Sequence, residues 1–99
     1  MKKSFVYFMA NKHLTVIYIG VTSDLIKRVY QHKTMLYKGF TTSYNCNMLV
    51  YFEEYDTINQ AISREKQLKA WNRRRKEELI RSINPDWMDL SEGWQFNFS

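Results

Sequence analysis

Apolar residues come in short runs separated by polar stretches, and their period shifts from two to about 3.6 along the chain. Residues 5–10 (Phe5-Val6-Tyr7-Phe8-Met9-Ala10) and 16–21 (Val16-Ile17-Tyr18-Ile19-Gly20-Val21) are rich in β-branched and aromatic types and predict two strands. Asn11 to Thr15 make a connection short enough for an antiparallel hairpin. Thr22-Ser23-Asp24 has the character of a helix N-terminus, with Ser23 or Asp24 as cap, and Leu25, Val29 and Leu36 follow at helical spacing over 24–36. Residues 37–47 are polar and irregular. Met48-Leu49-Val50-Tyr51-Phe52 is apolar throughout, which predicts a third strand at the centre of the sheet. Thr57 and Gln60 form a capping box for a second helix, with Ile58, Ala61, Ile62, Leu68 and Trp71 on its inner face. A break near Asn72 leads to a third helix with Leu79, Ile80 and Ile83 inward, ending before Pro85. The aromatic tail from Trp87 to Phe98 is expected to pack back on the body. The order is ββαβαα, an α+β sandwich of sheet and helices.

Ninety-nine residues allow one domain, residues 1–99, with a single modest core. No apolar run approaches the ~18 residues that a bilayer crossing needs, and no signal-peptide pattern follows Met1-Lys2-Lys3. A cytoplasmic protein without membrane partners is expected. The single cysteine, Cys46, excludes an internal disulfide, and with His13 and His32 as the two histidines a Cys/His zinc cluster is excluded too. A metal would have to be a hard cation on oxygen ligands.

Charge changes the picture further. The chain carries a net +5, and residues 64–81 hold eight basic against three acidic side chains, a surplus equal to that of the whole chain. Lys66, Lys69, Arg73, Arg74, Arg75 and Lys76 are therefore candidates for gripping a phosphate backbone. A solvated helix face would carry the same charges. An anionic membrane fits less well, because the run lacks a strong opposing apolar face.

Five polar side chains stand out within the elements. Strand alternation puts Tyr18 and Gly20 on one face and Ile17, Ile19 and Val21 on the other, so Tyr18 belongs to the less apolar side and Gly20 opens space beside it. Tyr7 is ambiguous, since both faces of its strand are apolar. Arg28 and His32 lie one helical turn apart, flanking the Leu25–Val29–Leu36 stripe, and a guanidinium fork suits phosphate. Glu65 falls where the stripe Ile58, Ala61, Ile62, Leu68 calls for an apolar residue. Either an ion pair with Lys69 holds it at the stripe's edge, or a cation or Arg28 from a facing helix compensates it in a cleft.

Phe5-Val6-Tyr7, Tyr18-Ile19-Gly20, Arg28, His32 and Glu65 together resemble the GIY-YIG nuclease domain, most nearly its small stand-alone bacterial members. The likeness extends to Gly20-Val21-Thr22-Ser23-Asp24-Leu25, Arg64-Glu65-Lys66-Gln67-Leu68-Lys69 and Asn84-Pro85-Asp86-Trp87. The first tripeptide reads Phe-Val-Tyr and keeps the functional tyrosine. The resemblance implies a sandwich around a central three-stranded antiparallel sheet and metal-dependent cleavage of DNA. By position it implies Tyr7, Tyr18, Arg28, His32 and Asn84 as catalytic residues and Glu65 as ligand of a single Mg²⁺ or Mn²⁺. The expected activity is a DNA endonuclease, directed by structure rather than sequence, in DNA repair or processing. RNA stays open as a further substrate, and a partner protein is a second source of specificity. One alternative is a nucleic-acid-binding module that cuts little without a partner; another is an interaction protein docking through Trp87, Trp94, Phe96 and Phe98.

Overall fold

The structure, a computed structural model, describes residues 2–34 and 45–97. Leu36, residues 37–44 and Phe98 lie outside that description. The elements are β1 (Ser4–Ala10), β2 (Ile17–Thr22), α1 (Leu25–Lys33), β3 (Met48–Tyr55), α2 (Ile58–Ala70) and α3 (Arg73–Ile83), in the predicted order ββαβαα. The three strands form one antiparallel sheet in the order β2-β1-β3.

β1 is the central strand, not β3. Apolarity along β3 misleads because both faces of this edge strand are covered, one by α2 and α3 and the other by the tail residues Leu90, Trp94 and Phe96, so it is as apolar as a central strand. The outer edge of β3 is also occupied. Leu90 N–H donates to Leu49 O at 2.7 Å, and Leu49 N–H donates to the Asp89 carboxylate at 3.1 Å. The β1–β3 register slips between Phe8/Tyr51 and Met9/Leu49, leaving Val50 as an extra residue in a bulge. Its carbonyl accepts from Asn84 Nδ2 at 2.9 Å.

Alternating residues sort into two cores. Val6, Phe8, Ala10 and Ile19 pack with Ala61, Leu68 and Ile80 of α2 and α3. Tyr7 and Met9 pack on the other face with Leu25 and Val29 of α1, and Tyr18, Trp94 and Phe96 border them. The helix starts follow their caps. Asp24 accepts from Lys27 N–H, Thr57 and Gln60 form the reciprocal box, and Asn72 accepts from Arg75 N–H. Three predicted inward residues are instead exposed: Ile58, Ile62 and Ile83 at 42, 37 and 58%. The narrow sheet contacts one line of α2, through Ala61 and Leu68, and leaves the flanks of the apolar stripe in solvent. Trp87 packs against the first core, and Leu90, Trp94 and Phe96 against the second, so the tail does fold back. Among the described residues, no helix is long and apolar enough to cross a membrane.

Candidate active site

Tyr7 sits directly opposite Gly20 in the β1–β2 ladder, and Met9 opposite Tyr18, so the two phenols are diagonal neighbours on one face. Their ring centroids lie 6.2 Å apart. A Cβ at position 20 would fall 2.6 Å from the Tyr7 hydroxyl and 2.9 Å from the Tyr18 ring. Glycine is therefore required by close approach: its bare Cα is the floor on which the phenol of Tyr7 lies.

His32 completes the cluster from α1. Its ring is 5.5 Å from that of Tyr7 and 5.4 Å from that of Tyr18, and Nε2 is 3.0 Å from the Tyr7 hydroxyl. It does not flank the apolar stripe as expected; it occupies it, buried below Leu25 and Val29. Burial, and then the charge of Arg28 one turn earlier, push its pKa down to about 4. The imidazole is thus neutral at ordinary pH and able to accept the Tyr7 proton in a hydrogen bond.

The two phenols differ in access. Tyr7 is wholly buried, whereas Tyr18 is half-buried and reaches the open edge of β2. There it lines a pocket of 310 Å³ with Ile17, Ile19, Lys69 and Lys76. Lys69 in turn meets the Glu65 carboxylate at 3.4 Å. Glu65 lies between Ala61 and Leu68 on the inner face of α2, its side chain 20% exposed. Arg28 belongs to the opposite face of the sheet, where it walls a polar pocket of 260 Å³ with Lys2, Asp24, Lys27 and Gln31. Lys69, one turn further along α2, is the cation that pairs with Glu65, as one of the two sequence expectations had it. Tyr18 and Lys69, with Glu65 paired to that lysine, thus lie at the edge of β2, and Arg28 lines a separate pocket.

Among the described residues, no three His, Cys, Asp or Glu side chains gather into a metal-ligand cluster. A single half-buried carboxylate suits a hard cation that keeps most of its water and takes substrate oxygens, the habit of Mg²⁺.

Asn84 is held elsewhere. Its amide donates to Val50 O and Met88 O at 2.9 and 2.8 Å and accepts from Met88 N–H at 2.9 Å, all of them backbone groups. The basic candidates divide as well. Arg73 donates to the carbonyls of Leu14 and Thr15 and pairs with Glu77, tying α3 to the β1–β2 turn. The guanidinium of Arg75 stacks 3.9 Å over Trp71, and Arg74 is exposed beside Glu78. Lys69 and Lys76 border the Tyr18 pocket, while Lys66 is exposed on α2. Lys2, Lys27 and Gln31 beside Arg28 escaped the sequence reading, although Asp24, Lys27, Arg28 and Gln31 recur at helical spacing.

A β-hairpin carrying two tyrosines over a glycine, followed by a helix carrying arginine and histidine, defines a class of domain. Residues 3–78 match the GIY-YIG catalytic domain, and the chain belongs to that family. It is 33% identical over 89 residues to a UPF0213 protein of Syntrophus aciditrophicus, covering 89% of this chain and 100% of that one. A UPF0213 protein of Staphylococcus saprophyticus is 31% identical over 80 residues, 81% of this chain and 96% of that one. In fold, the chain is similar to the solution NMR structure of a UPF0213 protein from Bacillus halodurans, with a TM-score of 0.57 and 21% identity over 95% of this chain and 99% of that one.

Proposed function

We propose that this protein is a divalent-metal-dependent endonuclease that hydrolyses DNA phosphodiesters, directed by the shape of its substrate rather than its sequence. The observation that carries this reading is the Tyr7–His32–Tyr18 cluster packed over Gly20, opening through Tyr18 onto a pocket walled by lysines. In this reading the scissile phosphate lies along the edge of β2. Arg28 meets its non-bridging oxygens and counters the charge that grows on them in the transition state. Lys69 and Lys76 hold the neighbouring phosphates, and Lys66, Arg74 and Arg75 extend the grip without reading bases. Glu65 would hold the Mg²⁺ or Mn²⁺ ion, whose role when bound is that of a Lewis acid toward the departing 3′ oxygen.

Tyr18 is the phenol able to orient the attacking water, because it reaches solvent and Tyr7 does not. Tyr7 Oη donates to neutral His32 Nε2 and fixes the geometry of the cluster. A phosphate arriving at Arg28 offsets part of the charge that holds the His32 proton affinity down, so the imidazole becomes a better base once substrate is in place. Asn84 acts on the site at a distance, by locking the bulge of β3 that sets the sheet register.

A second reading, a nucleic-acid-binding module with little cleavage of its own, is favoured by the Glu65–Lys69 ion pair, which already compensates the carboxylate. End-labelled DNA in duplex, flap, branched and single-stranded forms separates the two. Cutting that requires Mg²⁺ or Mn²⁺ and is lost in Glu65→Ala supports the nuclease. Equal inertness of wild type and Glu65→Ala, with binding retained, leaves the module.

A further inference from the structure

The N-terminal turn of α1 separates two cavities, and the candidate site uses one of them. On one side lies the polar pocket containing Lys2, Lys27 and Arg28. On the other lies an apolar groove of 480 Å³, walled by Phe5, Leu25, Ile26, Phe52 and Trp94. Lys2, Ser23 and Asp24 border both, so the two are continuous around the helix end. The groove has the size of a small-molecule site, roughly 300–1,000 Å³. Its rings are set in place: Phe5 and Phe52 meet edge to face at 6.3 Å, and Trp94 is fixed by a tight turn through its N–H to Ser91 O at 3.0 Å. Ile26 on its rim is 47% exposed. Among the described residues lining both cavities, Asp24 supplies the carboxylate, which accepts from the N–H of Lys27 at 3.1 Å.

An aromatic slot joined to a cationic pocket is matched by a planar apolar group carrying an anion on a short tether. A nucleotide has that form. The bases of an intact duplex are stacked inside it and cannot enter such a slot, whereas an unpaired base can, its neighbouring phosphate falling to the cations. We infer that the groove is a subsite for one unpaired nucleobase, whose attached phosphate is held by Lys2, Lys27 and Arg28. The inference rests on the nuclease reading for Arg28 as a phosphate clamp, and it gives that reading a substrate class: strands with an unpaired nucleotide beside the scissile bond, such as single-stranded regions, gaps or flaps.

The test is a binding measurement in EDTA, where no cutting occurs, so that its outcome is independent of catalysis. Fluorescein-labelled single-stranded and duplex oligonucleotides of equal length are titrated with full-length protein. Loss of one stacked base is expected to lower the ratio of single-strand to duplex affinity about tenfold in Trp94→Ala. Ile26→Gln, an exposed position whose fold is checked by circular dichroism, is expected to lower the same ratio severalfold. An oligonucleotide with consecutive abasic positions should lose the preference in wild type and be indifferent to both substitutions. The proposal is overturned if both variants keep the wild-type ratio or if abasic strands bind as tightly as intact ones. It is equally overturned if sedimentation at the assay concentration shows a dimer that Ile26→Gln dissociates, which would seat a second copy in the groove. Failure of the nuclease reading shows separately, as absence of metal-dependent cutting by a protein whose single-strand preference still depends on Trp94.

Discussion

Two clusters on opposite faces of the sheet draw on nearly the same inventory and come to different ends. On the α2 face, Glu53 accepts from the hydroxyls of Tyr51 and Tyr55 at 2.5 and 2.7 Å and receives Arg64 in a bidentate pair at 2.9 and 3.1 Å. On the α1 face, Tyr7, Tyr18 and His32 meet over Gly20, with Arg28 a turn away. Each has two phenols, an arginine and one further ionisable group. The first is closed. Burial favours the protonated Glu53, but Arg64 and both phenols outweigh it and hold the carboxyl below its usual range. Burial and the carboxylate push Tyr51 upward, so it remains a fixed donor. The second holds no carboxylate among these groups. Its imidazole is neutral, its arginine lines an open pocket, and one phenol faces solvent. Mutual compensation makes the first a rivet; in the second, a cation stands one turn from a neutral imidazole, the arrangement that the proposed phosphate clamp requires.

Removing the arginine from each cluster should have opposite consequences. Arg28→Ala should reduce the cleavage rate about 10²–10³-fold, in line with loss of one transition-state charge contact, while the urea midpoint of unfolding stays near wild type. Arg64→Ala should do the reverse. It leaves a half-buried carboxylate without its cation and should cost about 3 kcal/mol of stability in urea melts, with cleavage per folded molecule unchanged. If both substitutions act alike, the distinction fails.

Acid should separate the clusters next. His32 is held at about 4 in the folded chain against 6.5 as a free side chain, so the unfolded state binds more protons between those values. Its contribution is complete above pH 6.5 and is lost as the pH falls toward 4, destabilising the fold by about 2 kcal/mol once partial solvent access is allowed for. Glu53 and Asp89, whose pKa values are depressed, lose their contributions at lower pH still. Urea midpoints at pH 7, 5.5 and 4 should therefore slope downward in wild type and run nearly flat in His32→Asn. The smallest effect sharpens the role of the floor: Gly20→Ala should cost about 1–2 kcal/mol, because a methyl must displace the Tyr7 hydroxyl, and cutting should fall although no polar group has been removed.

The α1 cluster was far more legible in the sequence than the α2 cluster. Tyr18, Gly20 and Arg28 lie close in the chain, where strand alternation and helical spacing relate them directly. Glu53 and Arg64 are eleven positions apart on different elements, and nothing local pairs them, although Tyr51, Glu53 and Tyr55 alternate onto one face. His32 was misplaced for a related reason: a polar residue beside an apolar stripe reads as a flank until Tyr7, from a distant strand, supplies its partner. β3 was set at the centre because its apolarity records coverage of both faces, and the tail that closes its edge through Asp89 and Leu90 begins more than thirty residues later. Helix caps were legible because they are satisfied within one turn, as Thr57–Gln60 and Asp24–Lys27 are, whereas Asn72 showed in the sequence only as a break.

In the proposed mechanism, groups carried on both faces of the sheet act on one phosphate at the edge of β2. A crystal grown with Mn²⁺ and an oligonucleotide in which a CH₂ group replaces the departing 3′ oxygen, so that the linkage keeps its charge and cannot be hydrolysed, tests this by anomalous scattering. The expected result is an ion on the Glu65 carboxylate, Lys69 displaced from it, and a phosphate between that ion and Arg28 with Tyr18 alongside. Nucleic acid lying along another surface, with Glu65 still paired to Lys69, would contradict the account.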